Sequence, residues 1–577
     1  MREVILRILM VCGALLVGAC ESVPKQAEMA ADPESDAVIL PFAEPEKKLS
    51  ELDAELIYST LLGEIARQRG DMALAYDSYL QATIRSGDAK LAERAVRLAI
   101  YLKRNDQALV AVNHWIELAP NDLTARQLGA YLHLEVDNEE AAFEHLKAVV
   151  LISQAQRSDG FLHALSALTK STFPEKAIGL MRRLAAEYPD NADAAYAVAL
   201  MPSITKQWDQ AEREAQILVD RFPDLEKGYV LQSRVYVSKK DKPKARAVLE
   251  EAVSDYPDSE MLRAALGRLL IDLKESELAY RQFLKQRGIN PEPPEIHLTL
   301  GVLALQMERY AEAREHLRDA FERDSKSNDA AYYLGRVEEI EKNHTEAVKW
   351  FKRVGKGDLH YEAQVRMARL QAVEGGLGEA RDTLQALRIR FPKHSVDLYL
   401  VEADMLRQHA DSDTVTALYA QGLSAHPGNA DLLYARALYA ATQGWVDVLE
   451  QDLMAILEQE PQHADALNAL GYTLADQTDR YQEALGYIEQ ALALKPDAPA
   501  VLDSMGWVQY RLGNYAEALE YLRRAIDMLQ DAEIAAHLGE VLWVTGEREE
   551  ARGVWDKALE QNPDNEYLLK TLKRLDP

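Results

Sequence analysis

Cysteine is almost missing from this chain. Only Cys12 and Cys20 occur in 577 residues, and both fall in the first twenty. The rest of the chain therefore has no disulfide framework and no thiolate metal site. Such a composition is compatible with an oxidising compartment. Catalytic groupings are missing as well. There is no His-Glu-x-x-His pair, no glycine-rich loop ending in Lys-Ser/Thr, and no Gly-x-Ser-x-Gly elbow. The 13 histidines are scattered, as at His114, His163, His316 and His463, and a lone helical histidine is more often packed or exposed than a ligand. Gly375-Gly376-Leu377-Gly378 is the nearest thing to a nucleotide loop, but it falls where a turn between helices is expected anyway. No enzyme activity, cofactor or metal is expected.

Strand-forming residues do not dominate. Ala, Leu, Glu, Arg and Gln crowd the sequence, and they lose little entropy in a helix. The expected class is all-α. Lys and Arg number 66 against 94 Asp and Glu, a net charge of −28. That field repels nucleic acid and anionic lipid surfaces and favours basic protein partners. Because the charge is spread along the chain and not run into blocks, its first effect is solubility.

The N-terminus carries Arg2 and Arg7 and then an apolar run from Ile8 to Ala19. As a helix this run is about 18 Å long, too short for a membrane span and suited to a signal-peptide core. It ends in Leu16-Val17-Gly18-Ala19-Cys20, which resembles a bacterial lipobox. The resemblance implies cleavage after Ala19, lipidation of Cys20 and stable anchoring by two or more acyl chains. Glu21, where an aspartate would signal inner-membrane retention, resembles the sorting pattern of outer-membrane lipoproteins facing the periplasm. Residues 20–50, with Pro24, Pro33, Pro41 and Pro45, read as a flexible linker. Within it, Val38-Ile39-Leu40-Pro41-Phe42 has four large apolar side chains that a solvated linker does not need.

From residue 51 onward one pattern returns every 33 to 36 residues. A small residue marks the first helix of each unit, clearest at Gly267, Gly301, Gly335, Gly471, Gly506 and Gly539. An alanine follows on a second helix, as at Ala245, Ala279, Ala313, Ala347, Ala484, Ala518 and Ala551. Prolines such as Pro223, Pro257, Pro427 and Pro461 close the units, because proline cannot continue a helix. Small residues at both positions let two helices approach, and larger ones would force them apart. These positions resemble the tetratricopeptide repeat. The resemblance implies an all-α solenoid, a right-handed superhelix of about fifteen helix pairs, with first helices on the concave wall. The second, fourth, eleventh and twelfth units match poorly. The proline-rich stretch Arg287–Pro294 is read as a joint between an N-terminal array, 51–288, and a C-terminal array, 295–577.

Concave positions lie three before, one after and four after the key small residue. Near the C-terminus they include Tyr434, Leu438, Tyr472, Trp507, Tyr510 and Trp543, the candidate protein-binding residues. Packing between repeats is the competing role for any single aromatic among them. Earlier units place Glu64, Arg67, Arg336, Glu339 and Arg369 in the same slots.

The plan of leader, lipobox, linker and repeats resembles a family of large repeat lipoproteins of Gram-negative bacteria. Leu62-Gly63-Glu64-Ile65-Ala66-Arg67, Ala92-Glu93-Arg94-Ala95 and Ser504-Met505-Gly506-Trp507-Val508-Gln509-Tyr510-Arg511 carry that likeness. The family includes the lipoprotein binding partner of the periplasmic carboxyl-terminal processing protease. The resemblance implies a non-enzymatic adaptor that binds the protease and presents substrates such as peptidoglycan hydrolases. The alternative is an assembly scaffold for an envelope machine: a pilus, exopolysaccharide export or outer-membrane protein insertion.

Overall fold

In the computed structural model, residues 54–575 are described. The leader, Cys20, the linker and the 38–42 stretch lie outside them. The described residues hold 31 α-helices and one short 3-10 turn, with no strand among them. They form fifteen helix hairpins, from Ala54–Gln68 with Met72–Ser86 to Ala532–Thr545 with Arg548–Gln561, followed by a last helix, Glu566–Leu575. The periodicity thus marked every hairpin, including the four units whose small residues are replaced. The fourth has a first helix of only 9 residues, Gly160–Leu168, where Leu165 occupies the small-residue position and is buried.

The chain divides into two compact units, one ending at Ser325 and one beginning at Lys326. The division falls one hairpin after the Arg287–Pro294 stretch, which lies inside the first unit. There the helix Ser276–Ile289 continues through Arg287 and Gly288, and Pro294 opens the next helix at its first position. Proline is tolerated at that position because its missing N–H has no helical partner to lose.

Ten of the fifteen hairpin turns follow one local rule. The first helix ends, the residue two positions on takes a left-handed conformation, and the second helix starts two residues later. Glycine fills the left-handed position at Gly70, Gly375 and Gly513, whereas Lys103, Lys206, Lys240, Lys274 and Lys342 fill it elsewhere. The turn is closed by a backbone bond across six residues, as from Asp241 N to Tyr236 O (2.9 Å) and Asn514 N to Gln509 O (2.9 Å). Second helices commonly stop just before a proline, and side chains cap the following first helix: Asp122, Asn191, Ser259, Ser327 and Asn429 each accept from a backbone N–H.

Within a hairpin the small residues set the spacing. A Cβ at Gly471 would sit 2.9 Å from the Ala484 carbonyl oxygen, so the two positions singled out by the repeat face each other. The apolar core runs along the chain and is not confined to single hairpins. One cluster extends from Ala130 through Phe143, Leu168 and Met181 to Met201, across helices of three successive repeats. A lone hairpin could not bury such a stripe, which is why neighbours must stack.

Candidate protein-binding surface

The six candidate residues all lie in the second unit, on first helices of repeats 12 to 15: Ala430–Gln443, Ala464–Gln477, Pro499–Arg511 and Ala532–Thr545. Their environments differ sharply. Leu438 is 40% exposed. Tyr434 is half-buried, its ring centroid 6.2 Å from that of His463. Trp543 is half-buried, 5.7 Å from the Trp555 ring, and it carries the guanidinium groups of Arg548 and Arg552 at 4.9 and 5.3 Å.

Tyr472, Trp507 and Tyr510 are brought together, but they are occupied by each other and by their neighbours. Trp507 is only 4% exposed, stacks on His537 at 4.2 Å and donates its Nε1–H to Asp476 at 3.2 Å. The Tyr472 hydroxyl reaches two repeats on and donates to Glu533 at 2.8 Å. Burial is the main reason its phenol is pushed far up, with Tyr567 and Glu533 adding to it. Tyr510 donates to Glu540 at 3.2 Å, and its phenol is pushed up to about 12 by burial and then by that carboxylate. Tyr472, Trp507 and Tyr510 thus form a filled junction between first helices and not an open strip, whereas Tyr434 and Trp543 are half-buried against other neighbours and Leu438 is the clearly exposed residue of the six.

The junction is centred on a residue that the sequence reading passed over. His537 is fully buried; its Nδ1 lies 2.9 Å from the Asp503 carboxylate and its Nε2 lies 3.0 Å from the Tyr567 hydroxyl. Burial pushes its pKa down, but Asp503, with Glu533 and Asp476 behind it, outweighs burial, and the net shift is upward. Beside it, buried Glu540 takes Arg574 of the last helix as a salt-bridge partner. A signal existed: Asp503 and His537 are 34 residues apart, one repeat step, and sit just before Gly506 and Gly539.

The charged slots of earlier repeats are mostly paired. Glu64 takes Arg67 at 3.1 Å and Arg94, and Glu339 takes Arg336 at 3.2 Å and Arg366 at 3.0 Å. Arg369 is exposed. In the first unit, a cavity of about 320 Å³ opens between first helices and is lined by Thr124, Gln127, Tyr131, Ser166, Thr169 and Lys170, among others. Ile100, Leu128 and Ala167 also line it, so the cleft is of mixed polar and apolar character, at the lower end of the usual size of ligand pockets.

A TPR repeat-containing protein of Pseudomonas aeruginosa is 33% identical over 531 residues, covering 91% of this chain and 89% of that protein. The chain belongs to the tetratricopeptide-repeat family. The tetratricopeptide-repeat description also matches residues 229–259, 298–360, 464–531 and 504–566 directly. Among solved structures, pilF of Pseudomonas aeruginosa is similar to 38% of this chain over 97% of its own length, at 17% identity and a TM-score of 0.30. The Cut9–Hcn1 hetero-tetramer of the APC/C is similar over 90% of this chain and 96% of that one, at 14% identity and a TM-score of 0.25. Tetratricopeptide repeats generally mediate protein–protein contact and are generally non-catalytic, so the chain is a repeat scaffold for protein interaction.

Proposed function

We propose that this scaffold is a non-enzymatic adaptor lipoprotein of the outer membrane, facing the periplasm, which binds a processing protease and presents protein substrates such as peptidoglycan hydrolases. The observation that carries the reading is the combination of a lipobox-like Leu16–Cys20 with repeats that run through the described residues. An array of this kind supplies binding surface without a reaction centre. Lipidation at Cys20 would hold it at a membrane by the two-chain arithmetic of acyl anchors. The likeness of Leu62–Arg67 and Ser504–Arg511 to the protease-binding lipoproteins points to the partner class. The net charge of −28 suits basic substrates.

The test is capture of partners from envelope extract with the lipidated chain as bait. Co-purification of a carboxyl-terminal processing protease with cell-wall hydrolases is the expected result. Recovery of pilus, export or outer-membrane insertion components instead would select the assembly-scaffold reading. Deleting the chain should raise hydrolase levels in a strain that keeps the protease, and unchanged levels would overturn the adaptor reading. Metabolic labelling with a palmitate analogue, in the native chain and in Cys20→Ala, tests the anchor separately.

A further inference from the structure

The first unit contains two buried histidines whose hydrogen bonds fix the same tautomer. His297 lies on the first helix of repeat 8, Pro294–Gln306, and His316 on its second helix, Tyr310–Arg323; they are 2% and 4% exposed. His297 Nε2 is 2.8 Å from the Pro291 carbonyl oxygen. A carbonyl can only accept, so Nε2 carries the proton and Nδ1 of the neutral ring holds a lone pair. That buried Nδ1 has no hydrogen-bond partner.

His316 is fixed in the same tautomer by different neighbours. Its Nδ1 faces the Arg287 guanidinium at 3.1 Å, a group that can only donate. Its Nε2–H therefore donates to the Tyr280 oxygen at 2.9 Å, and the Tyr280 hydroxyl donates onward to Glu312 at 2.8 Å. A ring nitrogen that donates to a carbonyl, or to a hydroxyl backed by a carboxylate, while the other nitrogen keeps its lone pair, is the outer-shell arrangement of metal-binding histidines.

The third group is Asp319, one helical turn after His316. One ligand atom from each of His297, His316 and Asp319 lies within 4.8 Å of the others. His297 Nδ1 and Asp319 Oδ2 are 3.4 Å apart, long for a hydrogen bond. Two ligands on one tetrahedral zinc ion are separated by about 3.3 Å.

Equivalent positions in other repeats show what is special here. Arg126 Nε donates to Pro120 O at 2.9 Å and Arg263 Nε to Pro257 O at 2.8 Å, each six residues back, as His297 does to Pro291. Their guanidinium groups also reach the residue 19 further on, His145 at 3.3 Å and Gln282 at 3.2 Å. In repeat 8 a histidine replaces the arginine. The fixed cation is gone from that position, and the residue 19 further on is His316.

We propose that His297 Nδ1, His316 Nδ1 and Asp319 form a three-ligand site for a divalent transition-metal ion of the zinc class. Two imidazoles and a carboxylate suit zinc, with a fourth position left for water or a partner's side chain. The Arg287 guanidinium, half-buried at the end of its helix, must swing away from His316 when the ion enters. It is therefore a competitor, and its removal has the opposite effect to removal of a ligand.

Zinc titration of the full chain, against a chromophoric chelator, tests this. His297→Arg is the informative variant because arginine already fills this structural role in repeats 3 and 7, so the fold is kept. One equivalent of zinc should bind the native chain at least ten-fold more tightly than His297→Arg or Asp319→Asn, and Arg287→Ala should bind more tightly than the native chain. In the cobalt-loaded chain, visible absorption should disappear with His297→Arg. Equal affinity of the native chain and His297→Arg would overturn the site, as would unchanged or weakened binding in Arg287→Ala.

Discussion

The Nδ1 of His537 lies 2.9 Å from the carboxylate of Asp503, with both residues buried and one repeat step apart. The Trp507 ring stacks on the imidazole, and the Tyr472 and Tyr567 hydroxyls lie 3.4 and 3.0 Å from its Nε2. The groups that face it from the neighbouring helices are thus one ion-pair partner, two phenols and the more distant carboxylates of Glu533 and Asp476.

This pair predicts a pH dependence of stability. The pKa of His537 is raised in the folded chain, so its contribution is fully present below the unfolded histidine value, about 6.5, and is lost as pH rises through the folded value. Denaturant unfolding of the second unit, followed by tryptophan fluorescence, should therefore shift to lower midpoint as pH is raised from about 6 to about 9. His537→Gln should flatten that dependence. Asp503→Asn leaves a buried imidazole without its counter-ion and should cost about 3 kcal/mol at neutral pH.

Glu402 makes a second buried ion pair, and its loss should be costly in a different way. It is 1% exposed and bridges Arg381 at 2.8 Å and Arg388 at 2.6 Å, so one carboxylate links repeat 10 to repeat 11. Removing it leaves the nearly buried Arg388 guanidinium without its carboxylate. Glu402→Ala should destabilise the second unit by about 3 kcal/mol, measured by denaturant unfolding, and by more than Arg381→Ala, because Arg381 is half in solvent.

The hairpins were legible because their signals are local and repeated. Gly471 opposite Ala484, Gly506 opposite Ala518 and Pro294 at a helix start are each a steric demand written in one residue. Side-chain partners between repeats were less legible. Trp507 and Tyr472 sit where a concave wall is expected, and only the approach of first helices two repeats apart shows that Tyr472 meets Glu533. His297 and His316 are 19 residues apart in a region without a metal motif, and folding the hairpin brings them together. The turns were half legible. Gly375 marked a turn between helices, but Lys240, Lys274 and Lys342, in the same left-handed conformation, did not.

Those lysines predict stabilising substitutions. Lys240 is exposed and has φ of 63°, a conformation in which a Cβ crowds the following carbonyl. Lys240→Gly should raise the stability of the first unit by about 1 kcal/mol, because glycine pays no such penalty. The mirror change, Gly513→Ala at φ of 87°, should lower the stability of the second unit by about the same amount. Unfolding midpoints at constant denaturant slope check both, and a destabilised Lys240→Gly would show that the lysine side chain makes a compensating contact.

Exposure separates binding from packing among the candidate residues. Leu438 is 40% exposed, so Leu438→Glu removes little buried apolar surface and should change stability by no more than about 0.5 kcal/mol. Trp507 is 4% exposed, and Trp507→Ala opens a cavity under His537 and should cost about 3 to 5 kcal/mol. If the first helices of repeats 12 to 15 hold a partner, capture from envelope extract should fall at least ten-fold with Leu438→Glu at unchanged unfolding midpoint. With Trp507→Ala, binding and midpoint should fall together, and a stabilising Lys240→Gly elsewhere should not rescue them. Full capture by Leu438→Glu would move the binding surface away from these helices, toward the cleft lined by Gln127, Leu128, Tyr131 and Lys170 in the first unit.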